Sequence, residues 1–175
     1  MTGEKTKIVL DADVIIHFVE SGYFYKLPLI FKDYQYILLD VVYDEIRKNT
    51  KTKKYIDTYI SGFRNIKEVE FQPKGESMKE YFRLKQTRGD GESACMVYCR
   101  YNKNVLASSN LRDIKDYCSE HNITYLTTLD FLYYAYIKKV MTEEECEIFI
   151  EKVLKAGSKI KKVKISEYVT PVILF

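Results

Sequence analysis

The acidic residues recur in one setting. Asp11 and Asp13 follow the apolar run Lys7-Ile8-Val9-Leu10, and Asp40 follows Tyr36-Ile37-Leu38-Leu39 with Glu45 about one helical turn further on. Ser109 and Asn110 follow Val105-Leu106-Ala107, with Asp113 one turn later, and Thr127-Thr128 follow Ile123-Thr124-Tyr125-Leu126. A fifth corner, Arg88-Gly89-Asp90-Gly91-Glu92, opens a helix with no strand directly before it. Carboxylates converging on one rim repel unless a cation lies among them. Hard oxygen donors without clustered His or Cys favour Mg²⁺ or Mn²⁺. A divalent ion in such a place holds a phosphodiester, activates a water and steadies the leaving oxygen.

Each acid has a plainer use. A carboxylate in the first turn of a helix is favoured by the dipole and by capping, and Asp13, Asp40, Asp90 and Asn110 all suit that role. Glu45 lies beyond its first turn, and Asp11 ends a buried strand, so capping explains these two less well. It is the conjunction that points to a site.

The elements that would position these residues are legible as apolar strands alternating with helical periodicity. Strands are expected at 7–10, 36–39, 69–71, 105–107 and 123–126. Helices are expected through Val14, Ile15 and Phe18, over 23–31, through Val41 to Ile46 and on over 51–61, and over 77–85. Further helices are expected from the Gly89 corner through Tyr98, from Asn110 to about Cys118, and through Leu132 to Ile137. Thr142 and Glu145 have capping-box spacing for one more, which Gly157 ends. Alternation of this kind means an α/β fold, a three-layer α/β/α sandwich around a mainly parallel sheet, with ligands beyond the carboxyl ends of the strands. The expected division is a domain over 1–158 and a basic, apolar, β-prone extension over 159–175.

Glycine and proline number only 7 and 3, which argues against a turn-rich sandwich. The net charge is +3, so a polyanionic partner must be held by local patches. No apolar run reaches the roughly 18 residues of a membrane span. Met1–Lys5 lacks the apolar stretch of a secretory signal, so the expectation is a cytoplasmic protein with no membrane partner. Cys95 and Cys99 read as small core residues, and His17 as a structural histidine.

Ile8-Val9-Leu10-Asp11-Ala12-Asp13-Val14-Ile15-Ile16 resembles the opening strand of the PIN-domain nucleases, whose first acid ends that strand. Val41-Val42-Tyr43-Asp44-Glu45-Ile46 resembles the second acidic segment, and Gly89-Asp90-Gly91-Glu92-Ser93-Ala94 the glycine-bracketed third motif. Val105–Asn110 matches the fourth strand and corner, and Leu126–Leu132 resembles the closing segment. The match spans roughly 6–140. It implies Asp11, Glu45, Glu92 and Asp113 as catalytic residues, with Asn110 added to them as metal ligands. The implied cofactor is Mg²⁺ or Mn²⁺, and the implied nucleophile a water.

The family usually has an aspartate where this chain has Asn110. Asp113 falls on the same helical face and either replaces that carboxylate or serves only as a first-turn acid; both readings stand at this point. Arg47, Lys48, Lys51, Lys53 and Lys54 follow Glu45, and Lys155, Lys159, Lys161, Lys162 and Lys164 crowd the C-terminal part. Lys48, Lys51 and Lys53, with Thr127 and Thr128, are the candidate nucleic-acid contacts. The resulting expectation is a metal-dependent endoribonuclease of single-stranded RNA. Membership of the toxin-like branch further implies an antitoxin-like protein partner, and a homodimer is a further expectation. The alternative is a catalytically weak PIN-fold module that binds RNA or protein. A phosphotransfer receiver would want a lysine at the end of a late strand, where this chain has Thr127-Thr128.

Overall fold

The computed structural model describes residues 6–173. A five-stranded, wholly parallel sheet in the order β3-β2-β1-β4-β5 forms its centre. The strands are β1 (Lys7–Leu10), β2 (Gln35–Leu39), β3 (Ile66–Val69), β4 (Val105–Ala107) and β5 (Tyr125–Leu126). The inner strands β1, β2 and β4 are buried along almost their whole length. That is why they read as continuous apolar runs, as strands covered on both faces do.

The helices are α1 (Ala12–Ser21), α2 (Leu27–Ile30), α3 (Asp40–Arg47), α4 (Thr50–Ile60), α5 (Glu76–Leu84), α6 (Asp90–Asn102), α7 (Leu111–Glu120), α8 (Thr128–Ile137) and α9 (Glu143–Lys155). The chain leaves β1 through α1 towards β2, and leaves β4 through α7 towards β5, in opposite directions across the sheet. Right-handed crossovers therefore put α1 and α7 on opposite faces, and the carboxyl ends of β1 and β4 diverge into a crevice. The α/β, PIN-like architecture expected from the sequence is the architecture found.

Four boundaries differ. The segment 23–31 is a 3₁₀ turn (Phe24–Lys26) followed by α2, with Pro28 in the first turn of the new helix. Asn49 ends the helical run after Glu45 and caps α4, accepting from the backbone N–H groups of Lys51 and Thr52. The outer strand β3 lies three residues earlier than expected, and β5 is only two residues long. Among the described residues the segment after Ser158 holds no strand. It carries a 3₁₀ turn (Ile165–Glu167) whose Ile165 is fully buried. Asp130 accepts from Tyr168 Oη (2.8 Å) and Thr170 Oγ1 (2.7 Å), and Tyr134 Oη donates to the Val172 carbonyl (2.5 Å). The segment is thus clasped to α8; Met1–Lys5, Leu174 and Phe175 lie outside the described residues.

Cys95 and Cys99 are buried free thiols in α6, as their spacing suggested. The capping box at Thr142 and Glu145 and the left-handed Gly157 (φ 91°) bracket α9 as expected. No helix among the described residues is long and apolar enough to cross a membrane.

Candidate active site

Asp11, Glu45, Glu92, Asn110 and Asp113 all line one cleft of about 450 Å³ beyond the carboxyl ends of β1 and β4. Four segments reach it, and the local reason differs for each. Asp11 follows β1 and caps α1, accepting from the Ala12 N–H (2.8 Å). Its own N–H still bonds the Ala107 carbonyl (2.9 Å), which fixes the acid to the last rung of the sheet. Glu45 projects from α3 onto the start of α6. A Cβ on Gly91 would collide with its Oε2 and meet Val42 Cγ2 at 3.3 Å. The glycine in the Gly89-Asp90-Gly91 corner is therefore what lets Glu45 lie against that helix terminus.

Glu92 lies in the first turn of α6. The Asn110 amide nitrogen donates both to its Oε1 (2.8 Å) and to Asp113 Oδ2 (2.7 Å). Asp113 faces the same cleft as Asn110, and the amide bridges it to Glu92. Asp113 lies in the first turn of α7 and also lines the cleft.

The structure adds Asp13, which the sequence assigned only a capping role. Its Oδ1 accepts from Val14 N–H (2.6 Å) and its Oδ2 from Ser109 N–H (2.8 Å), so it ties the first corner to the fourth while lining the cleft. The Asp11-x-Asp13 spacing was the only available signal, and it is the same spacing an ordinary cap produces. Arg88 also lines the cleft, with Nε donating to the Asp113 carbonyl (3.1 Å). Lys85 lines it too but is paired with the exposed Asp90 (3.1 Å).

The electrostatics reflect this crowding. Burial, then the charge of Asp13, drives the Asp11 carboxyl well above the ordinary range. Burial lifts Asp13 to about 6 against several backbone hydrogen bonds that lower it. Burial and the neighbouring Asp113 charge lift Glu92 to about 7, with Arg88 pulling the other way. Among the described residues, no three His, Cys, Asp or Glu side chains stand close enough together to hold a metal ion, so a cation would have to draw these carboxylates inward. The donor set itself, hard carboxylate oxygens facing one cleft without full neutralisation, fits Mg²⁺ or Mn²⁺ in kind.

Other expected residues separate from this cleft. Asp40 accepts from Val41 N–H (2.8 Å) and Phe71 N–H (2.9 Å), and so anchors the chain after β3. Lys48 and Lys51 are exposed beside Glu45 in sequence, and Lys53 is half-buried and 3.9 Å from Asp57. Thr127 is spent on a capping box with Asp130. Thr128 is buried at the wall of a second cleft, which Thr127 also lines. Its hydroxyl bonds His17 Nδ1 (2.8 Å) and Ser109 Oγ (2.9 Å). Burial lowers His17 to about 4, so the ring is neutral, a structural histidine as expected. The chain His17–Thr128–Ser109 thus fixes the backbone N–H that holds Asp13.

No family model matches this chain, and no curated protein matches it. Among solved structures, the chain is similar to one in the VapBC2 complex from Rickettsia felis bound to a DNA fragment from its promoter. That match has a TM-score of 0.53 and 13% identity, over 70% of this chain and 98% of the other. A chain of the DNA-bound VapBC of Salmonella typhimurium matches with a TM-score of 0.52 and 9% identity, over the same shares. The likeness is one of fold: an α/β, PIN-like domain.

Proposed function

We propose that the protein is a metal-dependent endoribonuclease that hydrolyses phosphodiester bonds of single-stranded RNA, and that it is the toxin of a toxin–antitoxin pair. The observation that carries this is the shared cleft. Separate corners of the chain turn carboxylates into one crevice, and two of them, Asp13 and Glu92, are pushed to about 6 and about 7 there. Holding such acids together opposes folding unless a cation joins them. The PIN-like fold shared with chains of VapBC complexes supports the nuclease reading and an antitoxin-like protein partner.

Asp11, Glu45, Glu92, Asn110 and Asp113 would hold Mg²⁺ or Mn²⁺, with Asp13 joining them. When bound, the ion supplies a Lewis acid for a phosphodiester oxygen and lowers the pKa of water. The chain does the rest. Arg88 turns a guanidinium towards the carboxylates, where it can pair with a substrate phosphate. Asn110 keeps Glu92 and Asp113 apart by bonding both. Lys48, Lys51 and Lys53 add salt-sensitive affinity along the flanking strand. No serine or cysteine nucleophile is needed, and the four cysteines are buried.

The neutral Asn110 favours a second reading, a binding module with weak chemistry. Cleavage of a labelled single-stranded RNA separates the two. The nuclease reading expects cleavage with Mg²⁺ or Mn²⁺, arrest by chelator, and abolition by Asp11→Asn with the fold retained. Equal activity in Asp11→Asn, with contamination excluded, would refute it.

A further inference from the structure

Across the corner between β4 and α7 lies a second cleft of about 330 Å³ with different walls. Leu111, Leu129 and the rings of Tyr125 and Tyr168 line it, together with the exposed Lys159 and Lys161. Ser109 belongs to both neighbourhoods. It lines this cleft, while its N–H holds Asp13 of the carboxylate cleft at 2.8 Å. One turn of backbone is therefore the shared wall of an acidic crevice and an apolar one.

The second cleft is built rather than incidental. Tyr168 is held by its phenol on buried Asp130 (2.8 Å), and Thr170 donates to the same carboxylate oxygen (2.7 Å). Asp130 in turn accepts from the Thr127 N–H and hydroxyl, both at 2.8 Å. The ring comes from the C-terminal segment, yet it is locked to the start of α8 and so presents a fixed aromatic surface.

We infer that this cleft receives the nucleobase next to the phosphodiester held in the carboxylate cleft, from a single-stranded RNA. The inference rests on the nuclease reading above. A polynucleotide alternates charged phosphates with flat apolar bases. The two adjoining clefts alternate in the same sense, and Lys159 and Lys161 complement the next phosphate. Aromatic walls accept any base by stacking. A base must leave its helix to enter a cleft of this kind, so the cleft selects unpaired strands.

The test is fluorescence anisotropy with Ca²⁺ in place of Mn²⁺, an oxygen-ligated cation that neutralises the carboxylates, at times before any cleavage, using a labelled eight-nucleotide RNA, an abasic strand of equal length and a duplex of the same RNA. The RNA is expected to bind about tenfold more tightly than the abasic strand, the low end of what base stacking supplies. The duplex is expected to lose that advantage. Leu111→Ser should reduce RNA binding and leave the abasic strand unchanged. Leu111 is 43% exposed at the first position of α7, so the fold should survive, which melting checks. Lys159→Ala/Lys161→Ala should weaken both strands and flatten the salt dependence. Equal binding of RNA and abasic strand, an unaffected Leu111→Ser, or no binding of either strand overturns the base cleft. Cleavage is scored separately with Mn²⁺. A base cleft that fails beside intact cleavage leaves the nuclease reading standing, and base-dependent binding without cleavage refutes the nuclease reading alone.

Discussion

Replacing Asn110 by aspartate probes the centre of the site. In the wild type one amide nitrogen donates to Glu92 at 2.8 Å and to Asp113 at 2.7 Å. Asn110→Asp removes both charge-assisted bonds, each worth about 1.5–3 kcal/mol, and sets a third carboxylate against the other two. Full charges about 3 Å apart repel by about 5–6 kcal/mol at an effective dielectric near 20. Proton uptake limits that repulsion, because Glu92 already titrates at about 7. Asn110 is also exposed, which weakens both bonds. The expected net loss in chelator is about 2–4 kcal/mol, a melting point lower by about 5–12 °C for a chain of this length. Divalent metal should offset part of that loss. The added carboxylate strengthens the attraction for a cation, so the Mn²⁺ concentration needed for half-maximal stabilisation should fall about tenfold, equivalent to about 1.4 kcal/mol. Calorimetric melts in chelator and across a Mn²⁺ titration read both effects. A variant that melts like wild type in chelator and titrates Mn²⁺ identically would refute the reasoning.

Three further outcomes follow from the same geometry. Because Asp13 and Glu92 are raised in the fold to about 6 and about 7, the native state binds more protons than the unfolded one over that range, so metal-free stability should fall as pH rises. His17, lowered to about 4, acts oppositely below its usual value, so the fall should be cleanest between about pH 6.5 and 8 and should vanish with Mn²⁺; a rise there in chelator would contradict the assignment. Gly91→Ala should displace Glu45, the flexible end of a side chain, at little cost in melting temperature, and should raise the metal concentration needed for cleavage several-fold; an unchanged metal titration would remove Glu45 from the site. Glu80, on the buried face of α5, accepts from Arg100 (2.5 Å), Tyr101 (3.0 Å) and Tyr117 (2.7 Å), so Glu80→Gln should cost about 2–4 kcal/mol in a denaturant melt without altering the metal requirement.

The contrast between β1 and β3 explains which elements could be read from sequence. Ile8, Val9 and Leu10 are each sealed on both faces, so their burial is written in residue type. In β3 only Ile66 is buried and Lys67 and Glu68 are exposed, so an outer strand carries almost no apolar signature. The four strand-end corners were legible for the same reason as the inner strands: each begins where an apolar run stops, whereas the Gly89–Glu92 corner is marked only by its glycines. Asp13 was hidden because its partner, the Ser109 N–H, lies 96 positions away, and a first-turn acid looks the same whether it caps or bridges. Thr128 shows the same limit: nothing in a polar residue at a strand end reveals that His17 and Ser109 satisfy its hydroxyl inside the protein. The pairing of Asn110 with Asp113 was suggested by their spacing, whereas the second bond, to Glu92, depends on how α6 meets α7.

The central claim is that the carboxylate cleft binds a divalent cation. A crystal soaked in Mn²⁺ near pH 8, where Asp13 and Glu92 have shed their protons, tests it through anomalous scattering. A Mn²⁺ peak is expected within ligand distance of Asp11 and Glu92. A fully soaked crystal with no such peak, or with Mn²⁺ bound only away from this cleft, would contradict it.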